Sequence, residues 1–119
     1  MNFKEQLYND IADERITNIV NDNVYFLHKN ENVKTNTYIE YEIITEKYDN
    51  YYGNNNKTVN YVIQVDIFSK YDYSDLEQII KTVLKEKDYR FSNGADLYEE
   101  DTKLYHKAMR FNKVIMQTN

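Results

Sequence analysis

The sequence predicts a small α+β domain, in which amphipathic helices pack on one face of a mostly antiparallel β-sheet. The main evidence comes from residues 58–87, where the period of the apolar side chains changes halfway. In the first half they occupy every second position, which is typical of a strand with one buried face. In the second half they recur every three or four residues, as in a helix that packs on a sheet. The alternating set is Val59, Tyr61, Ile63, Val65 and Ile67, and the helical set is Leu76, Ile79, Ile80, Val83 and Leu84.

Length and composition predict one domain, residues 1–119, that folds without cross-links. A chain of 119 residues is long enough for a substantial core, and it contains no cysteine for a disulfide or a Cys-ligated zinc. The net charge of -5 argues against nucleic-acid binding as the main task, because contacts to phosphates need lysine and arginine. The apolar runs are far shorter than the ~20 residues of a membrane span.

The N-terminal region predicts helix followed by a short strand. Phe3, Leu7 and Ile11 lie four residues apart, as on one face of a short helix. The apolar face shifts around residues 13–15, which predicts a kink or a second short helical turn. Residues 24–27 are β-branched, aromatic and aliphatic, and they follow an Asn-rich turn, so we expect a short strand there.

The middle of the chain predicts a hairpin and then a helix. Residues 38–46 alternate like the strand that starts near Thr58, and the Gly/Asn-rich tip at residues 49–56 joins the two as an antiparallel pair. Ser74 and Glu77 have the spacing of a capping box, which predicts that the Ser74 side chain caps the following helix.

The C-terminal third predicts two more strands, over residues 89–98 and 103–116, with a turn at residues 99–102. Asn93-Gly94 indicates a bulge within the first of these strands rather than a hairpin turn. The fold predicted is therefore a sheet of about four main strands with two amphipathic helices on one face. In the last strand we expect Tyr105, Met109, Phe111 and Ile115 to face inward, and Lys107 and Lys113 to face outward.

The residue types that carry chemistry do not form a catalytic pattern. Three acidic residues at 99–101 could attract a hard cation, but consecutive side chains do not converge on one ion, so solvated turn charges are favoured. His28 and His106 lack metal-ligand spacing, and His106 is expected to face outward. Asp66 is either a buried acid with an altered pKa or, as its position opposite the apolar face favours, a hydrated or interface carboxylate. We therefore expect no enzyme activity, no metal and no cofactor.

Three segments resemble the tail-terminator (tail-completion) proteins of long-tailed bacteriophages and prophages. They are residues 16–25 (ITNIVNDNVY), 61–70 (YVIQVDIFSK) and 96–111 (DLYEEDTKLYHKAMRF), and the third is the most specific. Together with the helix between them, they cover most of the chain in the order and spacing of that family. The family usually has a proline after the early tyrosine, where this chain has Phe26.

The resemblance implies a structural virion protein at the head–tail junction, assembled in the bacterial cytoplasm. Such proteins form a ring, usually of six copies, on the head-proximal end of the tail tube. The implied partners are other copies of the chain, the major tail-tube protein and a head-completion or connector protein, with no membrane. A ring needs two different contact patches on each subunit. For these patches we predict the tip around residues 48–57 and the segment 96–102, with the residues Tyr48, Tyr51, Tyr52, Asp96, Tyr98, Glu99, Glu100 and Asp101.

An acidic subunit also suits a ring through which DNA passes without specific binding, because few cations are offered to the phosphates. A lumen lined mainly by lysine and arginine would contradict this hypothesis. The alternative is a small acidic protein-binding module or inhibitor, a nucleic-acid mimic without catalysis. That alternative predicts one clustered acidic face, whereas the acidic residues here are spread from Glu5 to Asp101.

Overall fold

A five-stranded sheet carries three helices on one face in the computed structural model, which describes residues 2–50 and 56–118. The strand order is β1-β2-β3-β5-β4; β1 pairs with β2 in parallel, and the other neighbours are antiparallel. The elements are α1 (Phe3–Ile11), α2 (Glu14–Val20), β1 (Val24–Phe26), β2 (Thr37–Asn50), β3 (Asn56–Ser69), α3 (Ser74–Glu86), β4 (Arg90–Glu99) and β5 (Leu104–Thr118).

The α+β class is confirmed, but the numbers of strands and helices predicted were too low. The sheet has five strands and is mixed, because the short β1 pairs in parallel beside Ile39–Tyr41 of β2. There are three helices among the described residues, because α1 ends at Ile11 and a new helix begins at Glu14. Asp13 starts that second helix: its side chain accepts a hydrogen bond from the backbone N–H of Arg15, which satisfies a free amide of the first turn.

The core lies between the helices and the odd-numbered side chains of β3. The alternation predicted for this strand is confirmed, since Val59, Ile63, Val65 and Ile67 are fully buried. They pack with the apolar stripes of α1, α2 and α3 and with Met109 and Phe111 of β5. None of the described helices is long and apolar enough to cross a membrane. The opposite face of the sheet, which no described helix covers, is called the open face below.

The predicted capping box at Ser74 is wrong. The helix begins after Tyr73, and the acceptor is the carboxylate of Asp72, which accepts hydrogen bonds from the Ser74 N–H (3.0 Å) and hydroxyl (2.6 Å). The Glu77 carboxylate is turned away to Lys81, 2.8 Å distant. A carboxylate two residues upstream has replaced the weaker hydroxyl acceptor, so the Ser74 side chain donates instead of capping.

Three orientations predicted for β5 are also wrong: Tyr105, expected inward, is 48% exposed, and the two lysines do not face outward. Lys107 and Lys113 have the same parity as Met109 and Phe111, so all four side chains lie on the helix-covered face. The ammonium of Lys113 lies over the ring of Tyr89 and donates a hydrogen bond to the carbonyl of Lys87 at the end of α3. A lysine can occupy such a position because its aliphatic stem packs in the apolar layer while the ammonium reaches the rim.

Two bulges interrupt the antiparallel pairing. The one predicted near Asn93-Gly94 is confirmed: the register of β4 against β5 shifts between Phe91 and Asn93. The other, between Ile43 and Thr45 of β2, was not predicted. Beyond it the side chains of β2 change faces, so that Thr45 and Lys47 belong to the open face.

A charged cluster joins the start of α2 to the end of α3. Arg15 contacts Asp13 and Glu86, each at 3.0 Å, and Lys87 lies 3.2 Å from Asp13. The hydrogen bonds from Arg15, helped by Lys87, hold the pKa of Asp13 well below its ordinary range. Because the pKa is depressed in the folded state, Asp13 stabilises the fold above its unfolded pKa of ~3.9, and this contribution is lost at lower pH.

We therefore predict that Asp13→Asn lowers the free energy of unfolding at neutral pH while keeping the cap of α2, since asparagine also caps helices. The difference from the unsubstituted protein should shrink as the pH falls below about 4. Urea unfolding over a pH series measures it. Asp101→Asn, in the exposed β4–β5 turn, is the matched control with the same change in charge. A deficit in Asp13→Asn that persists at low pH would show that the ion pairs are not its cause.

Candidate assembly interface

The residues predicted as contact patches lie in two groups at opposite ends of the sheet. Tyr48 is opposite Val59, which in turn is opposite Ile115 of β5, whereas Glu99 is opposite Leu104 of the same strand. Ile115 and Leu104, the β5 residues level with Tyr48 and Glu99, are eleven residues apart, or roughly 36 Å at ~3.3 Å per residue. The structure therefore does not bring the two groups together within one subunit.

The first group lies where β2, β3 and the end of β5 extend together. Tyr48 is 56% exposed there, although Val59 beside it is fully buried. Tyr51 and Tyr52 lie outside the described residues. The second group lies on β4 and the turn after it: Asp96, Tyr98, Glu100 and Asp101 are exposed, and Glu99 is partly covered.

Asp96 belongs to a polar cluster that connects β4 to the start of α3. Its carboxylate accepts a hydrogen bond from the Tyr73 hydroxyl at 2.5 Å and lies 3.2 Å from the ammonium of Lys107. Lys107 also lies 3.4 Å from Glu77. The bond from Tyr73, followed by that from Lys107, lowers the pKa of Asp96. Burial alone would lower the pKa of Lys107, but its carboxylate partners outweigh burial and raise it, so the ammonium is charged.

The two outer strands leave long edges without a strand partner in the described part of the chain. β4 is the last strand of the sheet, and its ten residues pair only with β5. On the other side β1 pairs only with Ile39–Tyr41, so β2 has no outer neighbour over residues 42–50. Such edges offer free backbone N–H and C=O groups to another strand. No sequence pattern marked these edges in advance, because they depend on the strand order.

A row of stacked rings crosses the open face of the sheet. Tyr38 stacks on Phe68 with ring centroids 4.9 Å apart, and Phe68 stacks on His106 at 4.2 Å. The ammonium of Lys29 lies 5.3 Å from the Tyr38 ring centroid. Burial raises the pKa of Tyr38 to about 12, so its phenol is neutral. This face therefore has its own small apolar cluster without a covering helix.

Asp66 is buried, so the prediction of a hydrated carboxylate, which its position favoured, is wrong. It is 8% exposed and contacts His106 at 2.7 Å and the amide nitrogen of Gln64 at 3.0 Å. His106 lies on the open face, as expected, but it is held there by Asp66 and the ring of Phe68. The register of β3 against β5 places Asp66 and His106 on adjacent strands, information that the separate segments did not contain.

The carboxylates predicted as solvated turn charges do not gather into a metal site. Within residues 2–50 and 56–118, no group of three or more His, Cys, Asp or Glu side chains could hold a metal ion. A shallow cleft of about 450 Å³ separates α1 from β1 and β2, with Tyr8, Phe26 and Tyr41 as aromatic walls and Lys4 over the Phe26 ring. Its surface is mainly apolar, so it offers contact area more than acid–base chemistry.

The fold has a counterpart among solved structures. A chain from the virion of a native gene transfer agent particle matches with a TM-score of 0.64 over 93% of this chain and 92% of that chain. The two sequences are 11% identical, so the match concerns the fold. No family model and no curated protein sequence matches this chain.

We predict that Lys107→Met destabilises the protein by about 1–3 kcal/mol, because it leaves Glu77 and Asp96 without their shared cation while keeping most of the apolar stem. Chemical denaturation measures the change. Lys70→Met, at an exposed position, is the matched control and should stay within about 0.5 kcal/mol of the unsubstituted protein. Equal effects of the two substitutions would mean that the cluster around Lys107 does not help hold β4 to α3.

Proposed function

We propose that this protein is a structural component of a phage-like virion that caps the head-proximal end of the tail tube. It forms a ring there, six copies in the resemblance, which ends polymerisation of the major tail-tube protein and joins the tail to a head-completion or connector protein. The observation that carries the proposal is the similarity of fold to a chain of a gene transfer agent virion over nearly the full length of both chains. The tail-terminator resemblance of residues 16–25, 61–70 and 96–111 supplies the more specific role.

The distribution of contact surfaces supports a ring. A closed ring with one chain type needs two different patches, one for each neighbour. The two groups of predicted contact residues lie at opposite ends of the sheet, and the two free edges lie on its opposite sides. A subunit built in this way can contact a neighbour on each side at once.

The charges of the open face support passage of DNA without tight binding. The strand residues on this face carry the carboxylates of Glu40, Glu42, Asp49, Asp66 and Glu99, against the cations of Lys47, Arg90 and Arg110. Binding to DNA draws most of its affinity from neutralising phosphates with lysine and arginine. A lumen formed by the open face would offer few such contacts, so we propose that DNA slides through the ring.

The alternative, an acidic module that mimics nucleic acid, has less support. A mimic needs carboxylates free to meet the cations of its target, whereas several here are held by cations of this chain. Asp13 and Glu86 contact Arg15, Glu77 contacts Lys81, and Asp96 contacts Lys107. We therefore propose a role in assembly and not in inhibition or catalysis.

The test is an assembly assay with the major tail-tube protein of the same particle. Tubes are grown with increasing amounts of this protein and their lengths are measured by electron microscopy. We expect growth to stop at one end, with a ring at that end, and capped tubes to join purified heads. The negative control is Ile63→Asp, which places an unpaired charge in the core and prevents folding. Tubes of unchanged length that carry no ring would contradict the proposed function.

A further inference from the structure

We propose that neighbouring subunits of the ring are joined edge to edge, by antiparallel pairing of β4 in one subunit with residues 42–50 of β2 in the next. The sheet of each subunit would then continue into its neighbour around the whole ring. The inference rests on the proposed function for the existence of a ring, and it adds the surface that closes the ring. Three properties of the two free edges support it: the direction of their strands, their length and their position along the sheet.

The free edge of β4 presents backbone groups that the sheet itself does not use. The N–H of Ile39 donates to Asn23 (2.9 Å) and the C=O of Tyr41 accepts from Leu27 (2.8 Å), so these two β2 residues point toward β1 and away from β3. The direction of the backbone N–H and C=O groups alternates along each strand, and the residue pairs between neighbouring strands carry this alternation across β3 and β5. On β4 it leaves the N–H and C=O groups of Asp96 and Tyr98 directed outward.

The same alternation applies to the exposed part of β2. Beyond the bulge, Thr45 is opposite Val62 and points toward β3, so the backbone groups of Glu46 and Tyr48 point outward. The side chains along these edges are also open to a partner. Phe91, Leu97 and Tyr98 on β4 are each 41–50% exposed, so this edge strand presents apolar surface that a neighbouring subunit can cover.

Strand direction makes the two edges compatible. β2 and β5 run one way, and β3 and β4 run the other way. Rotation about a ring axis keeps these directions in every subunit, so β4 of one subunit meets β2 of the next in antiparallel orientation. The operation also keeps all helices on one surface of the ring and all open faces on the other, as the proposed lumen requires.

The level of the edges along the strands also fits a closed ring. Through β5 and β3, Tyr98 is level with Thr37 and Arg90 with Thr45, so β4 lies beside residues 37–45 of its own β2. The outward groups of the two edges meet only at an even shift, and the one that brings Asp96 opposite Glu46 displaces the subunits by about six residues, or roughly 20 Å, across four long strands that span roughly 19 Å. This stagger corresponds to a strand tilt of roughly 46°, near the upper end of the ~35–45° typical of closed barrels.

Cross-linking tests the pairing, and the absence of native cysteine makes it clean. Glu46→Cys and Asp96→Cys place one thiol on each edge, and a short bismaleimide is added to the protein assembled on tail tubes. We expect the double variant to give a ladder of covalent oligomers up to the closed ring. Each single variant should stay monomeric on a denaturing gel, because its thiols do not meet one another in a head-to-tail contact.

Each other result overturns the inference in a recognisable way. Dimers formed by either single variant would show that like edges pair symmetrically. Rings without cross-links in the double variant would place the contact elsewhere while leaving the proposed function intact. Tubes that neither stop growing nor carry a ring would remove both the proposed function and the contact built on it.

Removing one outward backbone N–H with a proline substitution gives an independent test. Tyr98→Pro removes an outward N–H without removing a bond between β4 and β5, a position at which proline is tolerated on an edge strand. Tyr98→Thr is the reference variant, because it also removes the aromatic side chain but keeps the amide. We expect both variants to retain the circular dichroism spectrum of the fold, and Tyr98→Pro to lose ring formation well beyond any loss in Tyr98→Thr. Ring formation by folded Tyr98→Pro equal to that by Tyr98→Thr would contradict backbone pairing at this edge.

Discussion

The central strand β3 is paired on both sides along nearly its whole length, and the rest of the structure depends on this arrangement. Residues 57–69 pair with β2 and residues 56–69 pair with β5. A strand enclosed in this way satisfies its backbone groups within the sheet, while its odd-numbered side chains form the floor of the core. The helices add a cover for that floor, and their apolar stripes are matched to it.

The same arrangement determines where the protein is open. Because β3 occupies the centre of the sheet, β1 and β4 are its outer strands. The short β1 covers only a small part of β2, so much of the β2 edge stays open as well. One face of the sheet stays without helices and is stabilised locally by the rings of Tyr38, Phe68 and His106. The proposed ring uses both consequences: the edges meet neighbouring subunits, and the open face lines the lumen.

Local patterns predicted the elements well, because their causes lie within a few residues. The period of two in β3, the apolar stripe of α3 and the bulge near Asn93-Gly94 are all confirmed by the structure. The predictions were wrong where two hydrogen-bond acceptors competed for one donor, or where a side chain has both a charged end and an apolar stem. Asp72 replaced Ser74 as the acceptor at α3, and Lys107 was assigned by its charge although its parity placed it beside Met109.

Features that depend on distant pairing could not be predicted from separate segments. The parallel β1, the contact between Asp66 and His106, and the free edges all follow from strand order and register. The prediction of the contact residues rests on their residue types and their place in turns. The structure locates Tyr48, Asp96, Tyr98, Glu99, Glu100 and Asp101 at two ends of the sheet, and their role in contacts remains a prediction.

Amide hydrogen exchange, resolved by residue, tests the central claim most directly when the free subunit is compared with the assembled ring. We expect slow exchange along β3 in both states, because opening those amides requires global unfolding. We expect the amides of Glu46, Tyr48, Asp96 and Tyr98 to exchange rapidly in the free subunit and to become protected in the ring. Exchange along β3 as fast as at the edges, or edge amides unchanged by assembly, would contradict the claim.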